Sequence, residues 1–309
     1  MVHFFKLIRY KNLLMIAFVQ LIFRFGYFKL NNIVTGMSNF QYCLLVVATV
    51  FIAAAGYVIN DIFDQDTDLI NKPSKVIVGK YISESSAYNI YVALNIIGVG
   101  VGFVLSRMVL QPKFFIIFIL IAALLYVYAT YLKQTVFLGN LVISFLAAIT
   151  ILIIGVFDIY TTLYEGNKTQ MTVLMEILTD YAKFAFVITL IREIVKDIQD
   201  YKGDFETGLK TTAVTLGIQN TKYIAFALSI LLTLYLGYYT YTYFMNNNLY
   251  YATLYMLVFV LSPLILNSIK LFSANDTKTF ASISFLYKII MFFGILSLLI
   301  VTFNIKNNG

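Results

Sequence analysis

VVATVFIAAAGYVINDIFDQDTDLINKPSK, residues 46–75, decides the fold, because an apolar run passes without a break into a segment with four aspartates. Residues 30–60 carry no charged side chain, and that length exceeds the roughly 20 residues that cross a hydrocarbon core as a helix. We therefore predict a membrane-spanning helix that ends in an acidic cluster, which consists of Asp61, Asp64, Asp66 and Asp68.

The rest of the chain has the same apolar character. Hydrophobic residues make up 61% of the 309 positions and charged residues 12%, against roughly 25% charged residues in soluble domains. Further charge-free runs lie at 85–106, 114–132, 134–157 and 223–269, and the last is long enough for two crossings with a break at 246–248. Other candidate spans lie near 12–34, 172–195 and 280–303. We predict an all-α polytopic membrane protein of about nine transmembrane helices, in a single domain over residues 1–309.

Histidine and cysteine are nearly absent from the chain. The one cysteine, Cys43, excludes an intrachain disulfide and a site built from several thiolates. The one histidine, His3, lies in the N-terminal segment, which argues against histidine-based catalysis. We expect membrane lipid around the chain, and neither a nucleic-acid partner nor an obligate protein partner.

The distribution of lysine and arginine predicts the orientation. With the N-terminus in the cytoplasm, most of these residues fall in cytoplasmic segments, as the positive-inside rule requires. Both acidic stretches, 60–75 and 192–206, then lie on that side. We predict a multi-pass protein of the cell inner (plasma) membrane whose active site faces the cytoplasm.

The two acidic stretches match each other in spacing. Asp61, Asp64 and Asp68 recur as Asp197, Asp200 and Asp204, and every member is displaced by 136 positions. Because a fixed displacement is typical of internal repeats, we predict two related four-helix halves plus one extra helix.

Helical geometry indicates which of these side chains act together. At about 100° per residue, Asn60, Asp61, Asp64 and Asp68 share one face of a continuous helix, whereas Asp66 points away. In the second stretch Glu193, Asp197, Asp200 and Asp204 share a face. Gly203 leaves two alternatives open: the helix continues to Asp204, or it ends earlier and a loop presents Asp204.

Carboxylates that share a helix face repel one another, so a cation is expected to bind there. Clusters of oxygen ligands suit hard divalent ions, and Mg²⁺ in proteins binds carboxylates together with substrate phosphates. We predict that two facing clusters hold Mg²⁺ and a bridging diphosphate, whose remaining charge Lys133, Arg192 and Lys196 neutralise. The predicted metal ligands are Asn60, Asp61, Asp64, Asp68, Asp197, Asp200 and Asp204.

These motifs resemble those of the UbiA superfamily of intramembrane prenyltransferases. NDIFDQDTD, residues 60–68, is similar to the NDxxDxxxD signature of that superfamily, and DYKGD, residues 200–204, to its DxxxD signature. The resemblance extends to NKPSK after the first motif and to LKQTVFLGN, which contains Lys133 and Asn140. The stretch 192–214 looks most like the digeranylgeranylglyceryl phosphate synthase branch.

The resemblance implies an enzyme that transfers a prenyl group from a prenyl diphosphate to a hydrophobic, lipid-soluble acceptor with Mg²⁺ as cofactor. The first candidate acceptor is geranylgeranylglyceryl phosphate; 4-hydroxybenzoate or dihydroxynaphthoate is the alternative, and a cation-coupled transporter is a remote one. The implied catalytic residues are Asp64, Asp68, Asp200, Asp204 and Lys133, and the implied diphosphate-binding residues are Lys72, Lys133, Asn140, Arg192 and Lys196.

Three positions need separate interpretation. Arg24, a charge inside the first span, either anchors the anionic group of the acceptor or is structural, extending toward the membrane surface or pairing within the bundle. The family often has a tyrosine four residues before Lys133, but this chain has Ala129 there, with Tyr126, Tyr128 and Tyr131 nearby. Where the family commonly has arginine after NKP, this chain has Ser74 and then Lys75.

Overall fold

Nine long helices make up most of the chain in the computed structural model, which describes residues 2–308. Counted with the π and 3-10 turns that continue them, they are α1 Tyr10–Phe28, α2 Asn39–Phe63, α3 Glu84–Met108, α4 Pro112–Thr130, α5 Leu138–Thr162, α6 Lys168–Glu206, α7 Ile218–Met245, α8 Tyr250–Ser273 and α9 Thr277–Asn307. All except α6 are long and apolar enough to cross a membrane, and α6, which has 39 residues, contains more charge. The prediction of an all-α polytopic membrane protein is confirmed.

Local signals determine where the spans begin and end. Ser38 caps α2 by accepting a hydrogen bond from the backbone N–H of Gln41, while the Gln41 side chain accepts one from the N–H of Ser38. The apolar run from residue 30 therefore does not become helix until Asn39, and α1 ends at Phe28 rather than near 34. The predicted break at 246–248 separates α7 from α8, with Asn248 at φ 59°.

The sequence predicted that the first acidic motif lies on one continuous helix, and this prediction is wrong. α2 ends at Phe63, Asp64 takes φ −94° and ψ 3°, and a second short helix, Gln65–Asn71, follows. The backbone N–H of Asp64 donates to the carbonyl of Asn60, and that of Asp68 donates to the carbonyl of Asp64. Because these bonds keep the four-residue spacing through the bend, Asp66 still points outward and is exposed.

The second acidic motif does lie on one helix. α6 continues through Gly203 to Glu206, so of the two alternatives for Asp204 the helical one is observed. A Cβ atom on residue 203 would come within 2.4 Å of the Asn71 side chain, which identifies the reason for glycine here. The glycine lets the short helix Gln65–Asn71 approach the backbone of α6 closely.

The helices also follow the displacement of 136 positions. It maps the first residue of α3, Glu84, to position 220, close to Ile218 where α7 begins, and Pro112 of α4 to 248, close to Tyr250 where α8 begins. Leu138 of α5 maps to 274, close to Thr277 of α9. This correspondence supports two four-helix halves, α2–α5 and α6–α9, with α1 as the extra helix. It also brings the ends of α2 and α6 to one side of the membrane.

Candidate active site

The two acidic helix ends meet through Asn71. Its side-chain Oδ1 accepts a hydrogen bond from the backbone N–H of Gly203 at 2.8 Å, and its Nδ2 donates to the carbonyl of Asp200 at 2.8 Å. The hydroxyls of Thr67 and Thr207 lie 3.2 Å apart beside this contact. The short helix Gln65–Asn71 is thereby docked on the last turns of α6, so the two motifs predicted to face each other are in contact.

Cationic or amide groups bind most of the carboxylates. Lys133 Nζ and Asn60 Nδ2 both donate to Asp64, one to each carboxylate oxygen. Lys72 Nζ lies 2.6 Å from Asp200 Oδ2, and Arg9 Nη2 lies 2.6 Å from Asp61 Oδ1. These pairs offset the repulsion between neighbouring carboxylates in the chain alone.

The turn before α5 and the first turn of α5 hold two of the predicted diphosphate-binding residues, Lys133 and Asn140. Asn140 donates to Asp197 Oδ2 at 3.0 Å, and Thr212 in turn donates to Asn140 Oδ1 at 2.8 Å, so the amide orientation is fixed from both sides. Gly139 lets Lys133 pack tightly, because a Cβ there would lie 2.8 Å from the Lys133 Cα. Lys133 and Asn140 therefore reach the two acidic motifs from one segment.

The two remaining predicted diphosphate-binding residues, Arg192 and Lys196, both form ion pairs with Glu193. Glu193 is buried in α6, and its two carboxylate oxygens lie 2.5 Å from Arg192 Nη1 and 2.7 Å from Lys196 Nζ. Both cations are half-buried and line the cavity described below. The structure thus brings Arg192 and Lys196 near the acidic motifs but pairs both with Glu193.

Asp68 and Asp204 form no ion pair among the described residues. Burial raises the pKa of Asp68, and the neighbouring Asp64 charge raises it further. Asp204 is only 6% exposed, and Asp200 Oδ1 is buried without a hydrogen-bond partner. Carboxylate oxygens in this condition fit a hard divalent cation.

The acidic side chains do not form a closed metal cage by themselves. Within residues 2–308, no group of three or more acidic, histidine or cysteine side chains stands close enough to hold a metal ion. The candidate oxygen donors are instead spread over the two motifs, and Asn60 and Lys133 bind Asp64 while Lys72 binds Asp200. Such an open arrangement suits Mg²⁺, which usually completes its coordination with water and substrate phosphates.

A cavity of about 320 Å³ lies beside this junction, between α1, α2, α4, α5, α6 and α9. Its polar end contains Arg9, Asn60 and Arg192, and its deeper part is lined by apolar side chains such as Val19, Ile52 and Phe118. A site with charged groups at one end and an apolar interior fits an amphiphile with an anionic head and a hydrocarbon tail.

Arg24 does not line this cavity. It lies near the other end of α1 from Arg9, where its Nη1 is 3.1 Å from Asp158 Oδ2. It also donates to the Thr35 hydroxyl and to the Met37 carbonyl, while Asp158 accepts from the Met37 N–H at 2.7 Å. Of the two interpretations of Arg24, this placement supports pairing within the bundle and gives no support to an acceptor anchor.

Several cavity residues were not identified from the sequence. Arg9 pairs with Asp61, and no local signal in the sequence indicates this contact, since 52 residues separate the two. Asn12 and Lys288 also line the cavity. Tyr128 lines it as well, whereas Tyr126 and Tyr131 are exposed, so Tyr128 is the one of these three tyrosines that faces the cavity.

Residues 33–298 match the UbiA prenyltransferase family. The digeranylgeranylglyceryl phosphate synthase of Saccharolobus solfataricus is 36% identical over 245 residues, which cover 78% of this chain and 79% of that protein. A solved structure from work on the biosynthesis of digeranylgeranylglyceryl phosphate synthase in membranes has a TM-score of 0.58 at 24% identity, covering 97% of both chains. A UbiA homologue from Archaeoglobus fulgidus, bound to GPP and Mg²⁺, has a TM-score of 0.51 at 14% identity, covering 96% of this chain and 99% of that one.

Proposed function

Because the chain belongs to the UbiA prenyltransferase family, we propose that it transfers a prenyl group from a prenyl diphosphate to geranylgeranylglyceryl phosphate. The choice of acceptor is supported by the curated relative from Saccharolobus solfataricus, whose name is digeranylgeranylglyceryl phosphate synthase. We further propose that residues 1–309 act as one catalytic domain.

The observation that carries the proposal is the junction of the two acidic motifs beside the cavity. Asn71 joins the motifs, and Lys133 and Lys72 form ion pairs with Asp64 and Asp200. The apolar interior of the cavity lies next to these pairs. A prenyl diphosphate has the matching shape, since its diphosphate needs cations and its tail needs an apolar space.

We propose Mg²⁺ as the cofactor, held by Asp64, Asp68, Asp200 and Asp204 with Asn60, and with Asp61 and Asp197 as further candidates. The unpartnered Asp200 Oδ1 and the open arrangement of oxygen donors support this fit, as does the Mg²⁺ in the Archaeoglobus fulgidus homologue. When bound, the ion supplies positive charge to the diphosphate as it departs.

The side chains of this chain perform the other tasks. Lys133 and Lys72, released from Asp64 and Asp200, bind diphosphate oxygens and stabilise the charge that develops as the allylic carbon–oxygen bond breaks. The apolar wall excludes water, which would otherwise capture the allylic cation. Tyr57 and Tyr128 line the cavity, and because the Arg9 guanidinium already lies over the Tyr57 ring, Tyr128 is the aromatic side chain that can stabilise a cation.

The bond changes balance without a further reactant. A hydroxyl oxygen of the acceptor bonds to the allylic carbon, the diphosphate leaves with the electron pair, and the hydroxyl proton is released. Asn140 and Asp197, joined by their hydrogen bond, lie at the same end of the bundle. We propose that an aspartate of the junction accepts that proton.

The chain is a multi-pass membrane protein, and we propose that the junction faces the cytoplasm from the plasma membrane. The excess of lysine and arginine in the segments on that side supports this orientation. A transporter is less well supported, because such proteins place their ion sites near the bilayer midplane, whereas both acidic motifs lie at helix ends.

A substrate matrix tests the proposal. The purified full-length protein is incubated with Mg²⁺, with prenyl diphosphates of several lengths, and with geranylgeranylglyceryl phosphate, 4-hydroxybenzoate or dihydroxynaphthoate. Mass spectrometry then identifies the products. The proposal predicts prenyl transfer to geranylgeranylglyceryl phosphate. A product formed only from an aromatic acceptor would instead identify an aromatic-acceptor prenyltransferase. Cation flux without any prenyl transfer would support the transporter.

A further inference from the structure

Lys288 is an intramembrane charge to which the proposed function gives no role. It lies about three turns into α9, is half-buried and lines the cavity. Its Nζ donates to Asn12 Oδ1, and none of the ion pairs within residues 2–308 includes it. A lysine at membrane depth without a counter-charge is costly, which points to a ligand that supplies the charge.

The charges of the cavity give an independent argument. The cations that line it are Arg9, Arg192, Lys196 and Lys288, and the only acidic residue among the described lining residues is Glu193. Glu193 is shared by Arg192 and Lys196, and Asp61 neutralises Arg9. Among these four cations, Lys288 is the one that forms no ion pair within the described residues.

An unpartnered donor lies on the same wall. Arg192 Nε is buried and has no hydrogen-bond acceptor, although the Nη1 of the same guanidinium contacts Glu193. α6, which carries Arg192, packs directly against α9, which carries Lys288. An anionic group with several acceptor oxygens would satisfy both residues.

Resting on the proposed function, we propose that Lys288, positioned by Asn12, binds the phosphate monoester headgroup of the lipid acceptor, with Arg192 Nε as a second donor. A phosphate monoester carries close to two negative charges at neutral pH and has several acceptor oxygens for Lys288 and Arg192, whereas a benzoate carries one charge. The diphosphate of the donor has its own cations at Lys133 and Lys72, so the two anionic substrates bind to separate groups.

The test compares two acceptors that differ only in the phosphate, geranylgeranylglyceryl phosphate and geranylgeranylglycerol. Lys288→Met is expected to raise the KM for the phosphorylated acceptor roughly tenfold to a hundredfold, as for loss of a charge-assisted hydrogen bond, and to leave the KM for the donor unchanged. The KM for the unphosphorylated acceptor should hardly change. Lys288→Arg should retain part of the affinity because it keeps the charge.

Lys270→Met is the matched control. Lys270 lies in α8 and donates to the Ser282 hydroxyl at 2.7 Å, outside the cavity, so its loss should alter neither KM. If Lys288→Met does not fold, as judged by a melting curve in detergent, Asn12→Ala provides the second variant. It removes the group that positions Lys288 and should raise the same KM by a smaller factor.

The outcomes separate the inference from the proposed function. An unchanged acceptor KM in Lys288→Met, or an equal rise for donor and acceptor, would overturn the inference while transfer itself stands. If the wild-type protein transfers to neither acceptor, the proposed function fails, but thermal shifts with the phosphorylated lipid alone still test Lys288. Inorganic phosphate is the second probe, and a Lys288-dependent shift of equal size with phosphate alone would assign the site to free phosphate rather than to a lipid headgroup.

Discussion

Asp64 and Asp200 have neutralising partners in the chain alone, and this determines what substrate binding must do at the scale of single residues. Lys133 and Lys72 are flexible, single-point cations, so they can leave a carboxylate for a phosphate oxygen without moving a helix. The carboxylates then become available to a metal ion that arrives with the diphosphate. Binding is therefore expected to exchange internal ion pairs for new ones.

The first prediction concerns these two carboxylates. Asp64→Ala and Asp200→Ala should each reduce prenyl transfer at least about a hundredfold, as for removal of a strong electrostatic stabiliser. Both side chains are about one fifth exposed, so the proteins should still fold. Product formation at saturating Mg²⁺, measured by mass spectrometry beside a melting curve, checks the expectation.

Asp66→Asn is the matched control for that pair. Asp66 lies in the same motif but is exposed and faces away from the junction, so its neutral variant should transfer at nearly the wild-type rate. A loss as large as that of Asp64→Ala would show that the short helix Gln65–Asn71 turns Asp66 into the site, and would contradict the assignment.

At the scale of helices, the site depends on how closely the short helix Gln65–Asn71 docks on α6. Gly203 makes this approach possible. The Asn71 side chain accepts a hydrogen bond from the backbone N–H of Gly203 and donates one to the backbone carbonyl of Asp200. The two acidic motifs are therefore coupled through one side chain and one backbone position. Neither motif can move alone without breaking these bonds.

Gly203→Ala tests this coupling. The added Cβ would lie 2.4 Å from Asn71 Nδ2, so we expect overpacking to destabilise the junction by about 1–3 kcal/mol and to reduce prenyl transfer. In an Asn71→Ala background the clash disappears, and the second change should have little further effect. A double-mutant cycle on melting temperature and on transfer rate measures the coupling. Simply additive effects would mean that the two residues act independently.

A helix could be predicted from the sequence where the feature that produces it is local in the sequence. The spans were predictable because a charge-free run of sufficient length is itself the cause of membrane insertion. Their exact ends were not, since Ser38 and Gln41 delay α2 by several residues within a charge-free run. The bend at Asp64 was missed as well, because helical projection assumes a continuous helix.

The contacts between site residues could not be predicted from local sequence patterns. The carboxylates themselves were identified, since their spacing is visible in the sequence, but their partners come from distant segments. Arg9 and Asp61 are 52 positions apart, Lys133 and Asp64 are 69 apart, and Lys288 and Asn12 are 276 apart. Only the packing of the helices decides such contacts. For the same reason Arg24 could be recognised as an intramembrane charge, while its partner Asp158 could not.

At the scale of the whole molecule, the internal ion pairs predict how the protein responds to loss of metal. A chelator such as EDTA should abolish prenyl transfer, and added Mg²⁺ should restore it. The melting temperature without donor should change little, because Lys133, Lys72 and Arg9 neutralise the carboxylates when no metal is bound. A prenyl diphosphate together with Mg²⁺ should raise the melting temperature, since both bind the folded state. Unfolding on chelation would contradict this account.

The orientation of the bundle gives a prediction that is independent of catalysis. In a background where Cys43 is replaced by Ala, Asp66→Cys and Asn247→Cys place single thiols at exposed positions at opposite ends of the helices. In sealed right-side-out vesicles, a membrane-impermeant maleimide should label position 247 and leave position 66 unlabelled. In inverted vesicles the result should reverse. The opposite pattern would place the junction outside the cytoplasm.

The buried ion pair of Arg24 and Asp158 affects where substrates can enter the helical bundle and where product can leave it. Together with Thr35 and Met37 it joins α1, the following loop and α5 at the end of the molecule away from the junction, and the cavity stops short of it. The cavity therefore does not extend to that end of the bundle. If the protein makes a lipid as proposed, passage through the Arg24 end would have to break this ion pair, so we expect substrates and product to enter and leave on the junction side and the product to reach the leaflet on that side. Supply of the opposite leaflet then requires a separate flipping step by another agent.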